Sequence, residues 1–154
     1  MDWIQQLQSA NWHQVTGCAL EAYVLGCFAT GYYLVRACTG KDLRTIESGS
    51  LGARNAGRVL GKPGFAIALL GDLGKGALAV WIAREWTGDN RLALLALLAV
   101  VFGHLWPAQL RFHGGKGVAT FLGALLIFDY RVALIWPVLF LAGFAFLRKS
   151  LLPA

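Results

Sequence analysis

The sequence predicts an all-α, polytopic integral membrane helical bundle of about five transmembrane or re-entrant helices, forming one domain over residues 1–154. Three observations carry this. First, 57% of the 154 residues are hydrophobic and only 14% charged, whereas soluble domains hold roughly 45–50% apolar and about 25% charged residues. Second, the apolar residues fall in runs near the length of about 20 residues that crosses a bilayer. Third, the polar and basic residues gather between those runs. The net charge of +6 therefore predicts orientation and contact with anionic head groups or substrates rather than nucleic acid. Cys18, Cys27 and Cys38 have no metal-site spacing and are odd in number, which argues against a disulfide framework; they read as core filling.

Residues 1–14 carry no basic residue and no apolar core. They predict a polar interfacial lead-in with Trp3 and Trp12, no secretory signal, and a retained first span. Val15–Val35 is that span, with Glu21 as its single charge. A lone acid within a span flags function, but near the outer end hydration costs little and the structural reading is favoured. Arg36–Lys62 reads as a long polar loop, its helix propensity lowered by Gly49, Gly52, Gly57 and Gly61. Pro63 suits the first turn of a helix, so the second span runs over Gly64–Ala83. Asp72 and Lys75 lie at i and i+3 within it, on one face and able to pair. A structural ion pair and a substrate-contacting pair both fit. Leu92–Leu110 is the third span and ends with His104 and Pro107. Gly117–Phe128 is a short apolar stretch that is re-entrant, tilted, or continued through Asp129 and Arg131. Val132–Leu147 is the last span, followed by a basic tail.

With five crossings, one face carries ten cations, those from Arg36 to Lys62, Arg111, Lys116, Arg148 and Lys149. Arg84, Arg91 and Arg131 lie on the other. The positive-inside bias predicts an outside N-terminus, a cytoplasmic C-terminus, and both glycine-rich loops on the cytoplasmic face of a bacterial inner membrane.

The stretch with the most chemical content is GHLWPAQLRFHGGKGVAT, Gly103–Thr120. Gly114, Gly115 and Gly117 flank Lys116; their backbone N–H groups can line an anion-binding concavity, and a helix starting near Gly117 would aim its positive end there. A flexible turn with a snorkelling lysine is the other reading. A nucleotide P-loop is excluded, because Leu110 and Gly117 stand where it requires glycine and Ser or Thr. The first loop offers Ser48, Ser50, Asn55 and Arg58. Hydroxyls, a guanidinium fork and glycine backbone are the groups that grip phosphate.

Three motifs resemble those of the bacterial acyl-phosphate-dependent glycerol-3-phosphate acyltransferases, the PlsY family. DLRTIESGSLGARNAGR, Asp42–Arg58, is similar to the signature D-I-R-x-x-G-S-G-N-x-G-A-T-N-x-x-R. GDLGKG, Gly71–Gly76, resembles a D-x-x-K-G helix. Gly103–Thr120 resembles G-H-x-F-P-x-x-x-x-F-K-G-G-K-G-V-A-T. The resemblance implies acyl transfer from acyl-phosphate to the 1-hydroxyl of glycerol 3-phosphate, giving lysophosphatidic acid and phosphate for phospholipid synthesis, without cofactor or metal. By position it implies Lys116, Arg58 and Ser48 as catalytic residues. Gly49, Ser50, Gly52, Asn55, Asp72, Lys75, His104, Gly114, Gly115 and Gly117 would contact or frame substrate. Against the family pattern, Glu47 replaces glycine, Ser50 asparagine, Arg54 threonine and His113 lysine, while Cys27-Phe28-Ala29 replaces Ser-Ile-Pro. The family's third signature, near its C-terminus, has no counterpart through Ala154. That predicts a shortened enzyme, or a site completed by a second copy or a partner. An altered phosphorylated acceptor, and a non-catalytic protein binding anionic lipid or a partner, are the alternatives.

Overall fold

The computed structural model describes residues 11–151, and every regular element among them is helical. Asn11 caps α1 (Trp12–Cys27) by accepting from the Gln14 amide at 3.4 Å. The expected continuous first span is broken. Phe28 and Ala29 are extended, and the chain resumes as α2 (Thr30–Thr39) before left-handed Gly40 ends it. A break inside a membrane strands backbone carbonyls that water cannot reach. Distant side chains satisfy them here: Lys75 Nζ donates to Gly26 O at 3.0 Å and Phe28 O at 2.7 Å, and Gln109 Nε2 donates to Cys27 O at 2.6 Å.

The expected loop over Arg36–Lys62 is helical at both ends. Only its middle is irregular. It holds a short 3-10 turn, Leu43–Thr45, with Leu43 and Leu51 buried beneath it. From Ala53 the chain is helical, and α3 (Ala53–Thr87) runs on with one kink at Gly61, where φ is 71° and ψ −161°. That left-handed residue suits glycine and turns a short basic segment away from the long apolar one. Pro63 sits in the first turn after the kink, as expected. Burial of Ala53, Asn55 and Ala56 outweighs the weak helix propensity of Gly57, which packs against Phe65.

Asp89 caps α4 (Asn90–Leu105) by accepting from Arg91 N at 2.7 Å. The helix stops at Trp106 and Pro107, and the tail of the expected span is a 3-10 turn, Ala108–Leu110. α5 (Val118–Phe128) has 11 residues, too few to cross upright. It does not continue through Asp129, which ends α5 and accepts from Arg131 N at 2.9 Å at the start of α6 (Tyr130–Leu151). Residues 12–39, 53–87 and 90–110 are long and apolar enough to cross a membrane.

α1 packs along α4, and α3 runs against α2, α4 and α5. Apolar burial drives little association in lipid, so close van der Waals contact between backbones must do more. Gly26 meets Val100 O where α1 crosses α4, and Gly123 meets Leu73 O where α5 crosses α3; any side chain at either place would collide. The interior is small (Ala22, Ala79, Ala83, Ala93, Ala96, Ala124), while Leu20, Val24, Leu70, Leu98 and Leu134 point outward, the pattern of a lipid-facing surface. Cys18 and Cys27 fill the core as expected; Cys38 is exposed. Both Glu21 carboxylate oxygens are buried without a hydrogen-bond partner among the described residues, contrary to the expected hydrated position.

Candidate functional site

The two glycine-rich loops meet. Between them lies a cavity of about 550 Å³, within the usual size range for small-molecule sites. Ser48, Ser50, Gly52, Asn55 and Arg58 line it from the first loop and the start of α3. His104, Lys116 and Gly117 line it from the second, and Asp72 lies between. Phe65, Leu69, Leu73 and Leu122 give it an apolar portion.

Two helices begin at this cavity. Gly52 precedes α3 and Gly117, at φ 79°, precedes α5; neither helix start has a side-chain cap. The first N–H groups of a helix lack intrahelical partners and carry the positive end of its dipole. Val118 and Ala119 of α5, and Ala53 and Arg54 of α3, are at the lining. With Arg54, Arg58 and Lys116, the cavity has an anion-attracting field and no side chain blocking the helix starts.

The second loop is held by backbone contact. Gly115 N donates to His104 O at 3.1 Å. A Cβ at Gly115 would fall on the His104 imidazole, and one at Gly114 on the His104 and Leu105 carbonyls. Gly114 and Gly115 thus frame the loop from behind rather than lining the cavity. Beneath His104, Lys75 Nζ lies 2.8 Å from its Nδ1. An ammonium has only protons to offer, so Nδ1 accepts and the ring proton resides on Nε2, beside Gly115. The three donors of Lys75 go to Gly26 O, Phe28 O and His104 Nδ1. Asp72 Oδ1 is 3.0 Å from the ammonium as an ion-pair partner, without hydrogen-bond geometry. Lys75 is therefore absent from the cavity lining, and of the two expected readings the structural one describes it. Asp72 reaches the cavity wall with its charge compensated.

The first loop is held by side chains. Asn55 Nδ2 donates to Leu43 O, Ile46 O and Ser50 O at 3.2, 3.0 and 3.0 Å. Asp42 accepts from the Arg44 guanidinium at 2.6 Å, and that guanidinium holds the Asp42 carboxyl down at about 2. Arg44 Nη1 also donates to Leu110 O at 3.4 Å, tying one loop to the other. Gly49, at φ 66°, shapes the turn and is not part of the lining. Arg58 Nη1 pairs with Glu47 Oε2 at 3.4 Å.

From the sequence, Arg54 stood out only as a departure from the family pattern that, with Ser50, pointed to an altered acceptor, and it was not counted among the site residues. It lies one helical turn before Arg58 and lines the same cavity. The apolar lining was equally hidden inside spans. Among the described residues no three His, Cys, Asp or Glu side chains cluster as metal ligands do.

A helical bundle with a broken first span, two uncapped helix starts and a cationic, partly apolar cavity defines an integral membrane protein. A sequence profile of the glycerol-3-phosphate acyltransferases matches residues 16–154, and the chain belongs to that family. It is 49% identical over 114 residues to glycerol-3-phosphate acyltransferase 1 of Desulfitobacterium hafniense (strain Y51), covering 74% of this chain and 56% of that protein. It is also 49% identical over 116 residues to the glycerol-3-phosphate acyltransferase of Cereibacter sphaeroides (strain ATCC 17029 / ATH 2.4.9), covering 75% of this chain and 54% of that one. The fold matches the crystal structure of PlsY, an integral membrane glycerol 3-phosphate acyltransferase, in its glycerol 3-phosphate form. The TM-score is 0.76 at 34% identity, covering 86% of this chain and 66% of that one. The lysophosphatidic acid form matches with a TM-score of 0.71. The chain thus spans about half to two thirds of the length of these relatives.

Proposed function

We propose that this chain carries the acyl-transfer site of a bacterial inner-membrane enzyme, moving a fatty acyl group from acyl-phosphate to the 1-hydroxyl of glycerol 3-phosphate. The observation that carries the reading is the meeting of two glycine-started helices and three cations around one cavity that also has an apolar portion. Two phosphates and an acyl chain need that combination.

In this reading the first loop and the start of α3 hold the glycerol 3-phosphate phosphate, with Ser48 and the guanidiniums of Arg54 and Arg58. Lys116 and the start of α5 hold the acyl-phosphate, whose chain lies along Phe65, Leu69 and Leu122. The 1-hydroxyl oxygen attacks the acyl carbonyl carbon. The bond from that carbon to the phosphate oxygen breaks, the electron pair leaves with phosphate, and the hydroxyl proton ends on a phosphate oxygen. The mixed anhydride is already activated, so no protein nucleophile is required. Lys116 stabilises charge as it builds on the leaving phosphate, and neutral His104 with Lys75 beneath it keeps the lysine loop in place. The cation asymmetry between loops supports a cytoplasmic site with the N-terminus outside.

The test is turnover in detergent with palmitoyl phosphate and glycerol 3-phosphate, following lysophosphatidic acid and phosphate. We expect both products, and a fall of at least about 100-fold for Lys116→Ala. Phosphate release without lysophosphatidic acid, or equal turnover by Lys116→Ala, would overturn the proposal. Arg54 in the lining favours one variant of it, an acceptor bearing more negative charge than glycerol 3-phosphate; competition among polyol phosphates separates the two.

A further inference from the structure

Beside the cavity lies an open groove of about 430 Å³, lined by Arg54, Gly57, Arg58, Gly61, Lys62 and Phe65, all of α3. Arg54, Arg58 and Phe65 also line the cavity, whereas Lys62 lines the groove alone. The kink at Gly61 falls within it, so the groove sits where the basic start of α3 meets its long apolar part. Gly57 and Gly61 add no side chain, which leaves backbone between the cations. On the apolar side Phe65 is 42% exposed, and Ile67 and Leu70 follow at 50% and 66%, a surface turned to lipid. Lys62 is exposed and has no carboxylate within 4.0 Å among the described residues.

We propose that this groove is a lateral passage for the phosphate head of a single-chain lipid moving between the cavity and the membrane surface, with Lys62 as its outer binding group. This assignment rests on the reading of the cavity as an acyl-transfer site and deepens it: the lipid phosphate gains a route that the soluble acceptor does not need. A phosphate head leaving the cavity towards lipid must keep a counter-charge or return to water, because an unpaired charge is costly in an apolar medium. Arg54 and Arg58 are one helical turn apart, about 6 Å along the axis, and Lys62 follows beyond the kink, so the head passes from one cation to the next. Phe65 walls both hollows and stays beside the acyl chain during the move. An ammonium suits the outer position, since it binds as a point charge with rotatable donors rather than as a fixed fork, and so releases the head readily. A soluble anion leaves through water and gains nothing from Phe65.

The experiment is equilibrium binding to the full chain in phosphatidylcholine nanodiscs, with radiolabelled oleoyl lysophosphatidic acid and, separately, radiolabelled glycerol 3-phosphate. Binding is read without turnover. At about 0.15 M salt the reach of one exposed charge is limited to about 8 Å. Lys62→Gln is expected to weaken lysophosphatidic acid about fivefold and Lys62→Glu at least about tenfold. Lys62→Arg, which keeps the charge, should stay within about twofold of the unaltered chain. Glycerol 3-phosphate should shift by less than about twofold in all three. Unchanged lysophosphatidic acid binding by Lys62→Glu would overturn the passage. So would an equal loss for glycerol 3-phosphate, which would make the groove a path for soluble anions, or no preference of the unaltered chain for lysophosphatidic acid over lysophosphatidylcholine. The expected pattern without acyl transfer would sink the proposed reaction and leave the groove as a lipid-phosphate site. Acyl transfer with lipid binding indifferent to Lys62 would do the reverse.

Discussion

The two loops that enclose the cavity are built differently. In the second, backbone lies on backbone: Gly114 and Gly115 press on His104 with no space for a β-carbon, and Gly115 N closes the contact. In the first, one amide does most of the work. Asn55 reaches three carbonyls, with the Asp42–Arg44 pair beside it. A loop held by side-chain hydrogen bonds leaves its exposed positions open to change. A loop held by close backbone approach does not. The departures from the family pattern follow that division. Glu47 and Ser50 lie in the first loop and Arg54 at the start of α3, whereas the second motif has the aromatic exchange at Trp106 and His113, an exposed residue whose ring meets Arg111 O.

Each loop's support can be removed by a single substitution. The largest effect is expected beneath the second loop, at Lys75→Met. This leaves Asp72 buried without its counter-ion and the Gly26 and Phe28 carbonyls without donors, a loss of about 3–5 kcal/mol, measured as thermal unfolding in detergent. Gly115→Ala comes next: its β-carbon must displace His104 or the Lys116 loop, and a shift of that size should lower turnover about 100-fold. If Gly115→Ala retained full activity, the close backbone packing would not be what positions Lys116. Asn55→Ala tests the first loop; losing its hydrogen bonds should cost about 1–3 kcal/mol and raise KM for the acceptor more than it lowers kcat.

The smallest expected effect is on pH. Arg44 holds the Asp42 carboxyl at about 2, below its ordinary 3.8. A folded-state value depressed in this way adds stability that is present above about pH 4 and is lost as pH falls toward 2. Thermal melts between pH 6 and 3 should therefore show a slightly steeper decline for the unaltered chain than for Asp42→Asn. Parallel curves would mean that the Asp42–Arg44 pair contributes nothing to the loop.

Much of this site was legible in the sequence because its chemistry is local. Gly-Gly-Lys-Gly before an apolar stretch is a helix start with a cation, and that is what Gly117 and Lys116 form. The spacing of Asp72 and Lys75 made them a pair, and they are one at 3.0 Å. The placement of Ser48, Ser50, Asn55 and Arg58 with His104 and Lys116 followed from two motifs, and one cavity joins them. Residues 53–60 were misjudged because glycine frequency argues for a loop, whereas burial of Ala53, Asn55 and Ala56 overrides it. Arg54, visible in the sequence only as a departure from the family pattern, gains its place in the lining from that helix.

By itself the sequence determined the solvent of this protein, its helical class and the two polar stretches that carry its charge. Composition, run length and glycine spacing act over a few residues, and they are written in those residues. Tertiary structure alone decided where the first span breaks, since the donors that make the break tolerable come from Lys75 and Gln109, 47 and 82 residues away. It also decided that Arg54 and Arg58 share one cavity with His104 and Lys116. Both depend on groups brought together by packing across the bundle, and no local pattern encodes the distance between them.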